Sequence, residues 1–103
     1  MNSASVTPWP AGEPPSEDAL DGLLRQEGLE PRWWSNGRGE RYGAHSHPYH
    51  KVLYCAQGSI RFIVADDRMF ELVPGDRLDL PPNTSHSAIV GPAGVCVEAA
   101  RSS

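Results

Sequence analysis

From Arg32 onward, glycines and prolines cut the chain into short pieces rich in β-branched and aromatic residues. Pieces of about eight to twelve residues from turn to turn suit the strands of a sandwich or barrel and leave little room for helices. Arg32-Trp33-Trp34-Ser35 is a short strand, and Asn36-Gly37-Arg38-Gly39 is a turn. Further strands are expected at 40–47, 51–56, 59–64, 69–73, 77–80, 85–90 and 95–100. Ile60, Phe62 and Val64 alternate toward one face, the period-two pattern of a half-buried strand. Asp66-Asp67, Pro74-Gly75-Asp76, Pro81-Pro82-Asn83-Thr84 and Gly91-Pro92-Ala93-Gly94 supply the turns. No internal repeat is visible.

The first 31 residues read differently. Pro8, Pro10, Pro14 and Pro15 make residues 1–15 an extended or disordered lead. Ser16 suits a helix N-cap, with Glu17 and Asp18 in the first turn. Leu20, Leu23 and Leu24 recur at i, i+3 and i+4, and Gly28 is a natural stop, so a short amphipathic helix is expected at about 17–27. Three leucines make no core alone, so this helix must lie on the rest of the fold or on a partner. The expected organisation is an N-terminal extension over 1–31 and a strand domain over 32–103.

A chain of 103 residues buries one thin core, to which a metal or a second subunit would add stability. A homodimer would cover the apolar surface left by the helix and the tryptophan pair. The net charge of -4 and the pI near 5.4 argue against a nucleic-acid partner. No stretch is long and apolar enough for a membrane span, so no membrane partner is expected. Met1 to Ser5 lacks the basic and apolar regions of a secretory signal. Cys55 and Cys96 make no disulfide framework and read as free, buried thiols, which suits a cytoplasmic protein.

Chemistry enters with three spaced histidines. His45 and His47 sit at i and i+2 and would project from one face of a strand, and His86 lies on a distant strand after a proline-rich turn. Three imidazoles brought together would suit one divalent transition metal, Zn, Fe, Mn or Ni. A lone strand histidine is commonly a surface or core residue; the spacing of three is what points to a site. No Ser-His-Asp order, phosphate loop or basic patch competes with it.

The residues around these histidines resemble the two motifs of the cupin superfamily. The first is written G-x5-H-x-H-x3,4-E-x6-G; Gly39, His45, His47 and Gly58 match it, and Lys51 stands at the glutamate. The second is G-x5-P-x-G-x2-H-x3-N; Gly75, Pro81 and His86 match it, with Asn83 at the glycine and Val90 at the asparagine. Asn tolerates positive φ better than most residues, so Asn83 can keep the turn. The resemblance covers residues 32–100. It implies an all-β fold, a cupin-type double-stranded β-helix (a jelly-roll-like barrel), here with one short N-terminal helix. It also implies His45, His47 and His86 as metal ligands and often a dimer. It does not fix one chemistry, since cupins include dioxygenases, isomerases, decarboxylases, storage proteins and sugar-binding regulatory domains.

Lys51 is the departure that matters. An ammonium about 5 Å from a divalent metal would be repelled by roughly 6–7 kcal/mol at an effective dielectric of about 20. It would have to lose its proton, turn away, meet an anionic substrate, or have no metal beside it. Lys51, Tyr49 and His50 are the candidate substrate contacts, and His50 would replace the glutamate if the Pro48-Tyr49 turn shifted the strand by one residue. Leu53, Phe62, Leu80 and Val90 are expected to line the barrel. Glu98, on the last strand, reads as an exposed edge charge, with a distant carboxylate for the site as the alternative. The expected function is a metal-dependent enzyme of dioxygenase or isomerase type acting on a small anionic molecule, with a non-catalytic ligand-binding or storage module as the alternative.

Overall fold

The computed structural model describes residues 4–10, 12–91 and 94–101. The first three residues of the lead and the centre of the 91–94 turn lie outside them. The elements in chain order are β1 (Ser5–Thr7), α1 (Glu17–Gln26), β2 (Arg32–Asn36), β3 (Arg41–His45), β4 (His50–Gln57), β5 (Ile60–Val64), a 3₁₀ turn (Ala65–Asp67), β6 (Arg68–Leu72), β7 (Arg77–Leu80), β8 (His86–Val90) and β9 (Gly94–Arg101). A larger sheet has the order β1-β7-β4-β9-β2 and a smaller one β3-β8-β5-β6. Every pairing in both is antiparallel. This is the all-β architecture expected, with one short helix. No helix among the described residues is long and apolar enough to cross a membrane.

The period-two rule sorts side chains to two cores. Leu53 and Cys55 of β4, Cys96 of β9, Leu78 and Leu80 of β7, Ile60, Phe62 and Val64 of β5, and Ala88 and Val90 of β8 meet between the sheets. Val52, Tyr54 and Ala56 of β4 and Val97 and Ala99 of β9 face the other way and meet Leu20, Leu24 and Leu29. The larger sheet is therefore buried on both faces at its centre. That is why β4 reads as an unbroken apolar run and not as an alternation.

The helix covers the outer core and is fixed at both ends. Ser16 Oγ accepts the Ala19 N–H at 3.1 Å. At the other end Gly28, at φ 77°, donates to Arg25 O, and Leu29 donates to Leu24 O. These two bonds form a Schellman motif, and its usual apolar contact is present in buried Leu24 and Leu29. Leu20 and Leu24 are fully buried, which stabilises the docking by about 1.5–3 kcal/mol each.

The lead does not simply trail away. Ser5–Thr7 pairs with β7, and Ala4 is buried in the inner core. Trp9 lies over Gly75, where a Cβ would come within 2.6 Å of the Trp9 Cβ. Across the molecule, a Cβ on Gly94 would meet Gln57 O at 2.2 Å, so this position at the β4–β9 irregularity admits only glycine.

Candidate metal centre

His45 ends β3, and His86 begins β8 as its direct cross-strand partner. Opposed positions on antiparallel strands place side chains about 5 Å apart, so the topology alone brings these two imidazoles together. Their ring centroids are 4.3 Å apart. His47 arrives by another route. The strand expected over 40–47 stops at His45, after a register shift between Tyr42 and His45, so the shared strand face does not place His47. The loop beyond β3 places it instead: the His47 carbonyl accepts the Asn83 N–H at 2.6 Å. Asn83 holds φ 61° in the turn before β8, as expected for an asparagine at a glycine position. That one bond ties the two histidine-bearing segments together. The potential ligand atoms of His45, His47 and His86 all lie within 4.8 Å of one another.

The imidazoles are prepared as ligands. The Nδ1 atoms of His45 and His86 lie 2.8 Å from Gly43 O and 3.0 Å from Thr84 O. A carbonyl only accepts, so each Nδ1 carries the proton and each Nε2 keeps its lone pair. Tyr49 stacks on His47 with centroids 4.9 Å apart and orients that ring. Burial lowers the His86 pKa below the usual imidazole value, opposed by its bond to Thr84 O and assisted by His45, Lys51 and His47. Burial likewise lowers that of His47, together with Lys51 and His45 and against Glu98. Low imidazole pKa values keep the neutral form that binds metal. Three imidazoles, two of them with fixed tautomers, graded from exposed His45 to buried His86, form a donor set that fits a divalent transition metal with positions left open.

A cavity of about 280 Å³ adjoins the cluster, and His45 and His86 form part of its wall. Trp34, Tyr42, Leu53, Phe62 and Ala88 supply the apolar surface, with the Trp34 and Tyr42 rings edge to face at 5.7 Å. Leu53 and Phe62 line it as expected. Leu80 and Val90 line the barrel interior as expected, in the same inner core, and do not border this cavity. The charged wall is Arg32, Lys51 and Glu98. Lys51 shares the inward face of β4 with Leu53, and its Nζ lies 3.0 Å from Glu98 Oε1. Lys51 thus faces the cavity and finds its counter-charge in Glu98 on β9, the carboxylate that the last strand could supply.

Glu98 is accordingly no edge charge. It is half-buried in the cavity, and its signal was available: it shares strand parity with buried Cys96, while Val97 and Ala99 face the helix. Arg32 and Trp34 are set by the same parity on β2. Trp33 faces the helix and donates its indole N–H to Asp21 at 3.1 Å. His50 points to the outer face, where its Nε2 lies 2.9 Å from Asp79 Oδ1, so it stands apart from the three-histidine cluster. Tyr49 touches His47 and is absent from the cavity wall. Cys55 and Cys96 are buried and form no disulfide, opposite each other on β4 and β9.

Two facing antiparallel sheets with a histidine cluster at one end of the space between them define a cupin barrel. Within that superfamily the chain belongs to the AraC-like ligand binding domain family, whose sequence model matches residues 35–97. An RmlC-like cupin from Shewanella frigidimarina is similar in structure, with TM-score 0.64 and 24% identity over 70% of this chain and 64% of that one. DMSP lyase DddQ from Ruegeria pomeroyi gives TM-score 0.66 and 20% identity over 72% of this chain and 38% of that one. A DUF861 family protein from Thermotoga maritima gives TM-score 0.64 and 12% identity over 93% and 97%. The chain spans less than two thirds of the length of the Shewanella and Ruegeria proteins. Among curated proteins none matches significantly in sequence.

Proposed function

We propose that this chain holds one divalent transition metal on His45, His47 and His86 and acts there, as a metal-dependent enzyme, on a small anionic molecule. The observation that carries this reading is the convergence of the three imidazoles beside an open, partly apolar cavity, with His45 and His86 in its wall. When bound, the metal would supply Lewis-acid chemistry at its free positions. The protein's own residues would do the rest. Lys51 and Arg32 would attract the anion, the aromatic wall would exclude water, and the Gly43 and Thr84 carbonyls would hold the ligand tautomers. Neighbours of the same fold named as lyases are consistent with chemistry at such a site.

The family description favours a second reading, capture of a small ligand without turnover. The enzyme reading requires the metal, so the metal is tested first. Elemental analysis of protein purified without an affinity tag should find one divalent metal per chain, lost in the double variant His45→Ala, His47→Ala. Equal metal in both proteins would defeat the assignment. We also propose a homodimer, supported by exposed Met69 and Val73, and a reducing compartment such as the cytoplasm, supported by two buried cysteines that form no disulfide. A monomer in sedimentation at high micromolar concentration would reject the dimer.

A further inference from the structure

We infer that the cavity selects a small monocarboxylate with an apolar body, and that Glu98 holds the carboxylate's place on Lys51 until the ligand arrives. This rests on the reading of the cavity as a ligand site, and it does not depend on turnover.

The charges of the cavity are unequal. Its wall carries two cations, Arg32 and Lys51, and one carboxylate, Glu98, in a chain whose net charge is -4. Glu98 pairs with Lys51 at 3.0 Å. Arg32 lies directly across from Glu98 in the β2–β9 register, yet it forms no ion pair among the described residues. Arg32 is exposed, so water screens it while the cavity is empty, and a ligand carboxylate that displaced this water would become its partner. A ligand ammonium would instead add a third cation to this wall, and a neutral ligand would leave the excess in place. Lys51 is only 12% exposed by its side chain and cannot reach bulk water freely, so it needs an anion beside it at all times. Glu98 serves as that anion while the cavity is empty. An incoming carboxylate must compete with it.

Size and polarity set the rest of the ligand. A cavity of about 150 Å³ accepts benzene, so one of 280 Å³ accepts about ten heavy atoms. Trp34, Phe62, Leu53 and Ala88 offer no charge to that body, so it is largely apolar and of a shape that packs against aromatic faces, with the buried, unpartnered Trp34 indole N–H available to one acceptor.

The probes are three molecules with one body: phenylacetate, 2-phenylethanol and 2-phenylethylamine. Each is titrated calorimetrically into the full chain, first metal-free and then loaded with zinc. Phenylacetate should bind about tenfold or more tighter than the other two, the scale of one charge-assisted hydrogen bond. Lys51→Met should remove that preference. Glu98→Gln, which keeps the shape and removes the competitor, should tighten phenylacetate about tenfold. Arg32→Gln should weaken it with Lys51 intact. Melting of each variant confirms that it is folded. The inference is overturned if no probe binds, if the amine or alcohol binds as well as the acid, or if folded Glu98→Gln binds phenylacetate no better than the wild type. Zinc stoichiometry separates the two readings. Charge selection that survives in protein unable to hold zinc upholds the inference and defeats the metal; zinc bound without charge selection does the reverse.

Discussion

His50 and Lys51 are neighbours on β4, and each faces a carboxylate: His50 meets Asp79 at 2.9 Å, and Lys51 meets Glu98 at 3.0 Å. They lie on opposite faces of one sheet, and the faces treat charge differently. On the outer face the charges close on themselves. Arg77 pairs with both Glu27 at the helix end and Asp79, donates to Tyr54 Oη at 3.2 Å and lies over the Tyr54 ring. Two carboxylates from different elements share one guanidinium, so every charge there has a partner although the signs do not cancel, and the network staples the helix to the sheet. On the inner face Lys51 and Glu98 are paired, while Arg32 has no ion pair among the described residues and stands beside three imidazoles. A network of paired charges holds structure, and an unpaired cation beside a cavity is left available.

The contrast is broken most directly by separating the two faces with mutations. His86→Ala should cost zinc affinity more than the roughly 10–100-fold that loss of a mere hydrogen-bond partner to a ligand costs. It should leave the helix-side melting behaviour in place; zinc calorimetry and thermal melts together read this. Leu24→Ala on the outer face should do the opposite. It empties a fully buried site and should destabilise by about 2–5 kcal/mol in urea unfolding, with zinc stoichiometry unchanged. Loss of metal in folded Leu24→Ala would show that the faces are coupled. Arg77→Met should cost less, about 2 kcal/mol, because the stranded carboxylates are only partly buried and water can relieve them.

Acid titration of the metal-free protein should sharpen the same contrast into two limbs. The His47 and His86 values are lowered from 6.5, so the unfolded chain binds protons first, and stability falls as pH drops below about 6.5. Asp79 is pushed up by burial, but hydrogen bonds from Arg77 and His50 prevail and bring it below 3.8. Its contribution is present above the ordinary carboxylate value and is lost as pH falls below about 4. His86→Gln should flatten the first limb only, and Asp79→Asn the second only, in melting temperature against pH. A single variant that removes both would contradict the separation. The smallest effect should come from Arg61→Ala, whose pair with Glu71 is solvent-exposed and should be worth within about 0.5 kcal/mol.

Local signals and distant pairings were not equally legible in the sequence. The helix was readable because Ser16, the leucine spacing and Gly28 act within a few residues of one another. The strands were readable because turn residues bound them. His45 and His86 were readable as a pair by motif spacing. What escaped depended on which strand lies beside which. Glu98 gains its role only because β9 runs next to β4, so that its parity points at Lys51; nothing near Glu98 in the chain announces that neighbour. His47 was expected from strand alternation, which the register shift after Tyr42 cancels, and a backbone bond from Asn83 places it instead. Leu80 and Val90 have the inward parity expected of the barrel interior, and parity alone does not say which inward residues border the cavity.

The seating of the lead has a consequence for solubility. β1 is the outermost strand of the larger sheet, and its pairing satisfies the free side of β7. Peeling it off would bare a row of unpaired amides and carbonyls on a flat strand that carries Leu78 and Leu80, a template for docking a second chain. Trp9 clamped over Gly75 thus acts as a guard against fibre-like growth, and a side chain introduced at Gly75 would pry that guard loose. Such a protein would keep its histidines and its cavity and fail in the tube by clumping.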